Sequence, residues 1–337
     1  MELVATTILN GGVDTVFVMP NLQPPITSVA KALEYRSRLQ SIEPKVHYLM
    51  SLYLHPSVTP EVIAEAAAAG ITGVKLYPQG VTTNSESGVP ADFLKAYSPV
   101  FAAMEQHDLV LNLHGEWPGR PASDDISLEE AFLPELMKLH EKFPRLRIVL
   151  PPQLWMPYEL VVHQLLVRTI TAHHLYLTGE DSQTDPLAFC KPIPKKPSDR
   201  DALIKAVCSG DPKFFFGSDS APHPLTSKVK TTSGQAVPAG VFTQPFATQL
   251  VILALEEAIE RGVLEEDEVT QDHLEQFLSR SGRRFYKLPN PDPERKPKIV
   301  LERKGETIPT SIKSADGTVE IGLSKSMAPV FSLSWLT

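Results

Sequence analysis

Seven short apolar runs alternate with helix-like segments along the chain, and this alternation restricts the fold more than any other feature. The apolar runs lie at 13–20, 45–54, 71–78, 109–116, 145–151, 169–177 and 213–219. One intervening segment opens with Ser127 and Glu130 at the spacing of a capping box, which marks the start of a helix. Strands separated by helices of this length predict a parallel sheet with right-handed crossovers.

A barrel follows from the number of strands. Seven strands are one fewer than a (β/α)8 barrel contains, and the chain opens on a helix-like stretch, ELVATTIL. We therefore predict an α/β fold, a TIM-like (β/α)8 barrel whose first strand is missing from this sequence. After about residue 288 proline and charged residues become frequent. The predicted division is a barrel over 1–288, incomplete at its N-terminus, and a C-terminal extension over 289–337 that packs on it.

Composition excludes several classes of function. A formal net charge of -8 without a long basic run argues against a nucleic-acid partner. Two cysteines cannot form a disulfide framework and fit a reducing compartment. The first residues, MELVATTILN, do not resemble a secretory signal, and no apolar run approaches the roughly 20 residues of a membrane span. The sequence predicts a cytoplasmic protein without a membrane partner.

Polar side chains accompany five of the seven predicted strands. They are Asn21 after 13–20, Lys75 within 71–78, His114 and Glu116 within 109–116, His173 and His174 within 169–177, and Asp219 at the end of 213–219. Each one alone has an ordinary structural explanation, such as a helix cap or a lysine that extends to solvent. Because barrel chemistry takes place at the carboxyl ends of the strands, their convergence predicts a functional site.

The types of these residues predict metal-dependent chemistry. Burial in an apolar strand shifts a lysine toward its neutral amine, which reacts with carbon dioxide to form a carbamate with two oxygen ligands. Histidine nitrogens and aspartate oxygens are ligands that suit zinc. An aspartate beside a metal can also accept a proton and return it. This combination predicts hydrolysis or closure of an amide ring.

Seven motifs in this sequence resemble the dihydroorotases of the monofunctional type found in fungi and bacteria, within the amidohydrolase superfamily. They are VMPNLQPPIT, GVKLYPQGVTTNS, LNLHGE, TAHHL, FCKP, FFFGSDSAPHP and PAGVFTQPF, in this order along nearly the whole chain. The resemblance implies interconversion of N-carbamoyl-L-aspartate and (S)-dihydroorotate with loss of water, the third step of pyrimidine synthesis. It also implies two Zn²⁺ ions per subunit and favours a homodimer.

The resemblance assigns roles to individual residues. It implies that carboxylated Lys75 bridges the two zinc ions, that His114 is a zinc ligand, and that Asp219 is both a ligand and the general base and acid. The implied substrate contacts are Asn21, His223, Ala239 and Lys191, and the implied residues of a closing loop are Thr82 and Thr83. We leave His173 and His174 outside the metal set.

The sequence departs from the family pattern at two places. The family's first strand ends in His-x-His-x-Arg, and this sequence begins just beyond the corresponding point. A Glu-His pair that ends a later strand is replaced by Pro151 and Pro152, and the next histidine downstream, His163, lies too far away to substitute. Three of six expected ligands remain, so we expect metal binding to be incomplete. We also expect residues 1–337 alone to fold loosely and to lack dihydroorotase activity.

Three interpretations stay open. The first is a dihydroorotase whose sequence is incomplete, through a gene-model error. The second is an inactive dihydroorotase-like protein that binds a ligand or a partner subunit; metal content separates it from the first, since an intact centre holds two zinc ions. The third is another cyclic amidohydrolase, such as a hydantoinase or an allantoinase. Asn21, His223 and the threonine pair argue against the third, because they suit a small dicarboxylate-type substrate.

Overall fold

The computed structural model describes residues 1–82, 85–118, 127–150, 165–229, 237–289 and 298–336. Its contacts divide the chain into two units, one of Thr15–Arg168 and one of Met1–Asp14 together with Thr169–Thr337. This division differs from the predicted boundary at residue 288, which stays a prediction.

The helices and strands are short. The α-helices are α1 Glu2–Ala5, α2 Val29–Ile42, α3 Pro60–Ala68, α4 Phe93–Ala96, α5 Ser98–Gln106, α6 Leu128–Lys142, α7 Gly179–Thr184, α8 Pro197–Val207, α9 Leu225–Val229, α10 Ala247–Glu260, α11 Gln271–Glu275 and α12 Ser281–Phe285. The strands are β1 Thr15–Phe17, β2 His47–Leu49, β3 Ser51–Tyr53, β4 Gly73–Leu76, β5 Val110–Leu113, β6 Ile148–Leu150, β7 Leu166–Ile170, β8 Phe214–Phe216, β9 Lys298–Thr307, β10 Ser311–Lys313, β11 Glu320–Gly322 and β12 Pro329–Leu336. Turns of 3-10 helix lie at Leu9–Gly11, His173–Leu175, Gln244–Phe246 and Glu266–Glu268, and a π-helical turn at Gln276–Arg280.

Parallel pairing organises the Thr15–Arg168 unit. Strand β1 pairs with β2, and β3, β4, β5, β6 and β7 pair in chain order, all of them parallel. The register sets Lys75 of β4 between Tyr53 of β3 and Asn112 of β5. Because paired residues of parallel strands lie on the same face of the sheet, this register decides which side chains surround Lys75.

The helices of this unit begin where the sequence predicts. Ser127 accepts a hydrogen bond from the Glu130 N–H (3.1 Å), and the Glu130 carboxylate accepts one from the Ser127 N–H (2.7 Å), which confirms the capping box of α6. Thr59 caps α3 by accepting from the Val62 N–H. Strand β5 is buried along its whole length, as its apolar sequence predicts.

The second unit has a different architecture. The Gly217 N–H donates to the Ile170 carbonyl (3.2 Å), so the end of β8 lies beside the end of β7. Strand β12 pairs with β9 and β10 pairs with β11, both antiparallel. A buried cluster that includes Ile170, Ile204 and Val251 also contains Ile308 and Val330 from the C-terminal segment.

Two details differ from the sequence-based expectation. The run 169–177 was expected to be a strand, but β7 ends at Ile170 and a 3-10 turn follows at His173–Leu175. The Thr171 hydroxyl accepts the His174 N–H (3.3 Å), and this local bond favours a turn over a strand. A continuous apolar run such as FFF predicts a strand buried on both faces. Only Phe215 is fully buried, while its two neighbours are half-buried.

No helix within the described part of the chain is long and apolar enough to cross a membrane.

Gly73 provides a test of the β4–β5 pairing. A Cβ at this position would lie 2.3 Å from the Val110 carbonyl oxygen of β5, a distance that only a backbone shift could relieve. We expect Gly73→Ala to lower the free energy of unfolding by about 1–3 kcal/mol, as overpacking does. The control is Gly115→Ala in the same unit, where an added Cβ meets no atom within 4 Å. Equal melting temperatures for the two variants in a calorimetric scan would contradict this pairing geometry.

Candidate active site

The candidate site residues fall into two groups, one in each unit, and each group is described within its own unit. In the Thr15–Arg168 unit, Lys75 is half-buried in β4. Its Nζ donates a hydrogen bond to the Leu113 carbonyl oxygen (3.0 Å) and lies 5.0 Å from the centre of the Tyr77 ring. Both contacts attract an ammonium group and compensate part of its lost hydration. They hold Lys75 near the carboxyl end of its strand.

His114 follows β5 immediately and is buried, with 5% of its surface exposed. Its Nε2 lies 2.6 Å from Oε2 of Glu116, which is equally buried. The Tyr77 ring lies 6.0 Å from the imidazole, so Lys75 and His114 share this aromatic neighbour. A carboxylate on one ring nitrogen fixes the orientation of an imidazole, as is typical of histidines that bind metals or transfer protons.

Asn112 is a further member of this group that the sequence analysis did not single out. It pairs in register with Lys75 and is 4% exposed. Its Oδ1 has no hydrogen-bond partner among the described residues, which leaves a buried acceptor beside the lysine. The available signal was the period of two in LNLHGE, which sets Asn112 and His114 on the same face. An unmatched acceptor at this point fits a cation or a donor from a ligand.

Asn21 and Thr82 lie in loops of the same unit. Asn21 is half-buried after β1. The Thr82 N–H donates to Ser85 Oγ (3.0 Å), and that hydroxyl donates to the Thr82 carbonyl (2.5 Å), which anchors the loop on a buried serine. Thr83 and the segment with Pro151, Pro152 and His163 lie outside the described residues.

In the other unit, Asp219 lies three residues beyond β8 and is exposed. Its φ of 41° is in the left-handed region, which aspartate tolerates better than most residues but which still requires support from its surroundings. That support is present on the C-terminal side. Ser220 Oγ accepts the N–H groups of Thr243 (3.1 Å) and Gln244 (3.0 Å), and the Ala221 N–H donates to the Val241 carbonyl (3.0 Å). These bonds therefore hold the backbone from which the Asp219 side chain projects.

His223 and Ala239, both predicted substrate contacts, lie together. His223 Nε2 lies 3.0 Å from the Ala239 carbonyl oxygen, which can only accept, so Nε2 carries the proton. Burial lowers the pKa of His223 from its usual value, the hydrogen bond to Ala239 raises it, and the nearby Lys228 ammonium lowers it. Above that pKa, Nδ1 is an acceptor. A carboxylate ligand at Nδ1 would therefore require the protonated ring, and its negative charge would favour that state.

Lys191 is exposed in the loop after α7, between the buried Cys190 and Pro192. This loop approaches the one that carries Ala239, because the Gly240 N–H donates to the Phe189 carbonyl (3.0 Å). The predicted substrate contacts Lys191, His223 and Ala239 thus belong to three segments of one unit that are joined by backbone hydrogen bonds.

Lys228 of α9 joins the same loops and was not found by the sequence analysis. It is 3% exposed, and its Nζ donates to the carbonyl oxygens of Phe189 (2.9 Å), Pro238 (3.1 Å) and Gly240 (2.9 Å). Burial lowers the pKa of its ammonium group from 10.5 to about 8, although Cys190 and Asp185 raise it. An isolated lysine in a polar segment usually predicts an exposed side chain, so the sequence alone carried no usable signal for this contact.

The chain is similar to known dihydroorotases along most of its length. It is 46% identical over 315 residues to the "Probable dihydroorotase" of Schizosaccharomyces pombe, covering 93% of this chain and 88% of that protein. It is 42% identical over 328 residues to the dihydroorotase of Saccharomyces cerevisiae, covering 92% and 86%. No protein-family model matches the chain.

Solved structures give the same result. The Saccharomyces cerevisiae dihydroorotase in complex with 5-fluoroorotic acid matches with a TM-score of 0.85 and 40% identity over 99% of this chain and 93% of that one. The L-hydantoinase of Arthrobacter aurescens matches with a TM-score of 0.74 and 14% identity over 99% of this chain and 77% of that one, so it shares the fold alone. The α/β barrel expected from the sequence is confirmed by these matches.

Lys228 generates a prediction about stability. Lys228→Met removes three buried hydrogen bonds from a charged donor, and we expect the free energy of unfolding at pH 7 to fall by about 2 kcal/mol or more. The control is Lys31→Met on the exposed side of α2, with an expected change within about 0.5 kcal/mol.

The pH dependence of this difference is also predicted. Because the folded pKa of about 8 lies below the ordinary 10.5, the unfolded chain binds more protons between these values. The contribution of Lys228 to stability should therefore rise as the pH rises through this window. Denaturant unfolding of the parent and both variants from pH 7 to 10.5 measures this contribution to the free energy of unfolding. Equal stability of the two variants would refute the role of Lys228.

Proposed function

The chain belongs to the dihydroorotase family, and from this premise we propose how its own residues carry out the reaction of that family. Dihydroorotases interconvert N-carbamoyl-L-aspartate and (S)-dihydroorotate with loss of water. The observation that carries this function is the identity of 42–46% with dihydroorotases over more than nine-tenths of the chain. The hydantoinase alternative is disfavoured, because that relationship extends only to the fold.

We propose that the substrate is a small molecule with a carboxylate, bound by Asn21, His223, Lys191 and the backbone of Ala239. The related yeast enzyme was solved with 5-fluoroorotic acid, a flat ring that carries one carboxylate. Lys191 offers an exposed positive charge, and His223 offers a ring whose protonated form a carboxylate would stabilise. The Thr82 loop is proposed to close over this ligand together with Thr83.

The donor groups of the chain fit a metal ion. In the Thr15–Arg168 unit, the Asn112 Oδ1 acceptor is unmatched, and His114 is oriented by Glu116 as a ligand would be. We propose that carboxylated Lys75, His114 and Asp219 hold zinc, two ions per subunit on the family resemblance. When bound, zinc would polarise the carbonyl group at which the ring closes and opens.

Asp219 is proposed to move the proton. In ring closure, its carboxylate accepts the proton from the ureido nitrogen that attacks the side-chain carboxyl carbon of N-carbamoyl-L-aspartate. The side-chain carboxyl group enters as the acid, and Asp219 delivers the accepted proton to its hydroxyl oxygen, which leaves as water. In ring opening, it accepts a proton from the attacking water and returns it to the ring nitrogen. The left-handed turn at Asp219 sets the backbone position from which the carboxylate would make both transfers.

The proposal also concerns the oligomeric state and the cellular compartment of the enzyme. We propose a homodimer in the cytoplasm, on the resemblance to the fungal and bacterial enzymes. The competing interpretation is a dihydroorotase-like protein without catalytic activity.

Asp219→Asn tests the proposed function. Asparagine also tolerates the left-handed region, so the turn is kept while the proton-accepting carboxylate is lost. We expect turnover to fall about 10²–10⁴-fold in both directions, with little change in melting temperature. The assay uses the whole gene product loaded with zinc, including any residues that precede Met1, and measures ring closure and ring opening.

The matched control is Asp108→Asn. Asp108 is another aspartate with a positive φ, 57°, but it precedes β5 and pairs with Arg147, so it lies at the opposite end of a strand from the predicted chemistry. Its variant should keep parental turnover. Activity of Asp219→Asn within tenfold of the parent would refute the role of Asp219, and a zinc-loaded parent without turnover would support the non-catalytic interpretation.

A further inference from the structure

Three side chains with metal-binding atoms meet in the interior of the unit that contains Thr169–Thr337. His173 and His174 lie on the 3-10 turn after β7, and Cys190 lies in the loop after α7. They are 1%, 0% and 4% exposed. Their ligand atoms all lie within 4.8 Å of one another. None of these residues belongs to the proposed dihydroorotase ligand set.

His174 has the orientation of a metal ligand. Its Nε2 lies 2.9 Å from the Pro192 carbonyl oxygen, which can only accept, so Nε2 carries the proton and Nδ1 carries the lone pair. This Nδ1 is buried and has no hydrogen-bond partner among the described residues. Metal-bound histidines typically donate their other ring N–H to a backbone carbonyl in this way. Burial lowers the pKa of His174 to about 4, so the lone pair is available at neutral pH.

His173 has more unsatisfied buried hydrogen-bonding groups than His174. Within the described part of the chain, neither of its buried ring nitrogens has a hydrogen-bond partner. Its ring centre lies 4.3 Å from that of His174. Burial and the neighbouring His174 lower the pKa of His173 well below the usual value, so the ring stays neutral. Leaving one buried polar group unsatisfied costs about 1–3 kcal/mol, and a cation bound to the lone pair would remove this cost.

We propose that His173, His174 and Cys190 bind one divalent cation of the zinc class, with a ligand set distinct from that of the proposed catalytic centre. Two imidazole nitrogens and one thiolate form a set that suits this class. Zinc bonds of about 2.0–2.3 Å would bring the three ligand atoms closer than they are now, by roughly 1 Å. Small side-chain rotations suffice for such a contraction, because the sulfur and ring nitrogens are at the ends of their side chains.

Binding converts the thiol to a thiolate. The Cys190 sulfur bonds the cation and releases its proton to solvent, so one proton leaves for each cation bound. Burial and the Asp219 carboxylate raise the pKa of the free thiol to about 12, while Lys228 and Lys195 lower it. A coordinated cation reverses this balance, because a bound metal deprotonates its thiol ligand.

The proposed site has a structural role. It would add a bond between the turn after β7 and the loop that continues into Lys191. That loop is already held by the hydrogen bonds from Lys228 and the Gly240 N–H to the Phe189 carbonyl and from His174 to the Pro192 carbonyl. A cation here would therefore fix the loop that carries a proposed substrate contact. The inference does not rest on the proposed function, since neither Lys75 nor His114 takes part.

Cobalt provides a specific test, because its charge-transfer absorption with thiolate reports a cysteine ligand and the proposed catalytic ligands contain no sulfur. The whole gene product is expressed with Co²⁺, since the site is buried, and its near-ultraviolet spectrum and cobalt content are measured. We expect a thiolate band that corresponds to one cobalt per chain. Cys190→Ser should abolish the band, and His173→Gln should reduce the apparent affinity at least tenfold.

Two controls isolate the site. Cys208→Ser changes the other buried cysteine and should leave the band intact, as should Lys75→Ala. X-ray absorption of the parent loaded with one equivalent of zinc needs no variant and should show one sulfur ligand at about 2.3 Å. A parent without a thiolate band or a sulfur ligand would overturn the proposal, as would a band that survives Cys190→Ser.

Discussion

The cost of burying polar groups in an apolar interior is the constraint on which this structure depends. Strands as apolar as β4 and β5 would exclude charged side chains unless each one found a partner. Lys75 donates a hydrogen bond to the Leu113 carbonyl and contacts the Tyr77 ring, and His114 is hydrogen-bonded to Glu116. These partners hold the polar groups near the carboxyl ends of the strands, where barrel enzymes carry out their chemistry. What remains unmatched, such as Asn112 Oδ1, marks the place for a ligand.

The second unit satisfies the same constraint through backbone carbonyls. The Lys228 ammonium group can be buried because it donates hydrogen bonds to three carbonyl oxygens. Those carbonyls belong to the loops of the proposed substrate contacts. Ser220 Oγ plays a similar part at the Asp219 turn, where it receives two backbone N–H groups. Hydrogen bonds between loops therefore position the backbone segments that carry the proposed site residues.

Most of the structural features that could be predicted from the sequence are encoded in short local patterns. The capping box at Ser127, the apolar β5 and the parallel order of strands are encoded within a few residues each, and they were confirmed. The 3-10 turn at His173 was missed, because one hydroxyl bond from Thr171 decides between strand and turn. Lys228 was missed because its partners lie 10 to 39 residues away and exist only after folding. Motif resemblance supplied the family and the site residues, whose roles stay predictions.

The central claim is that the half-buried Lys75 is an oxygen ligand in the form of a carbamate. The most direct measurement is ¹³C NMR of the whole gene product, loaded with zinc and equilibrated with ¹³C-bicarbonate. We expect a carbamate resonance in the parent that is absent from Lys75→Arg, in which the guanidinium cannot form a carbamate at neutral pH. A parent without this resonance, or a variant that retains it, would contradict the account.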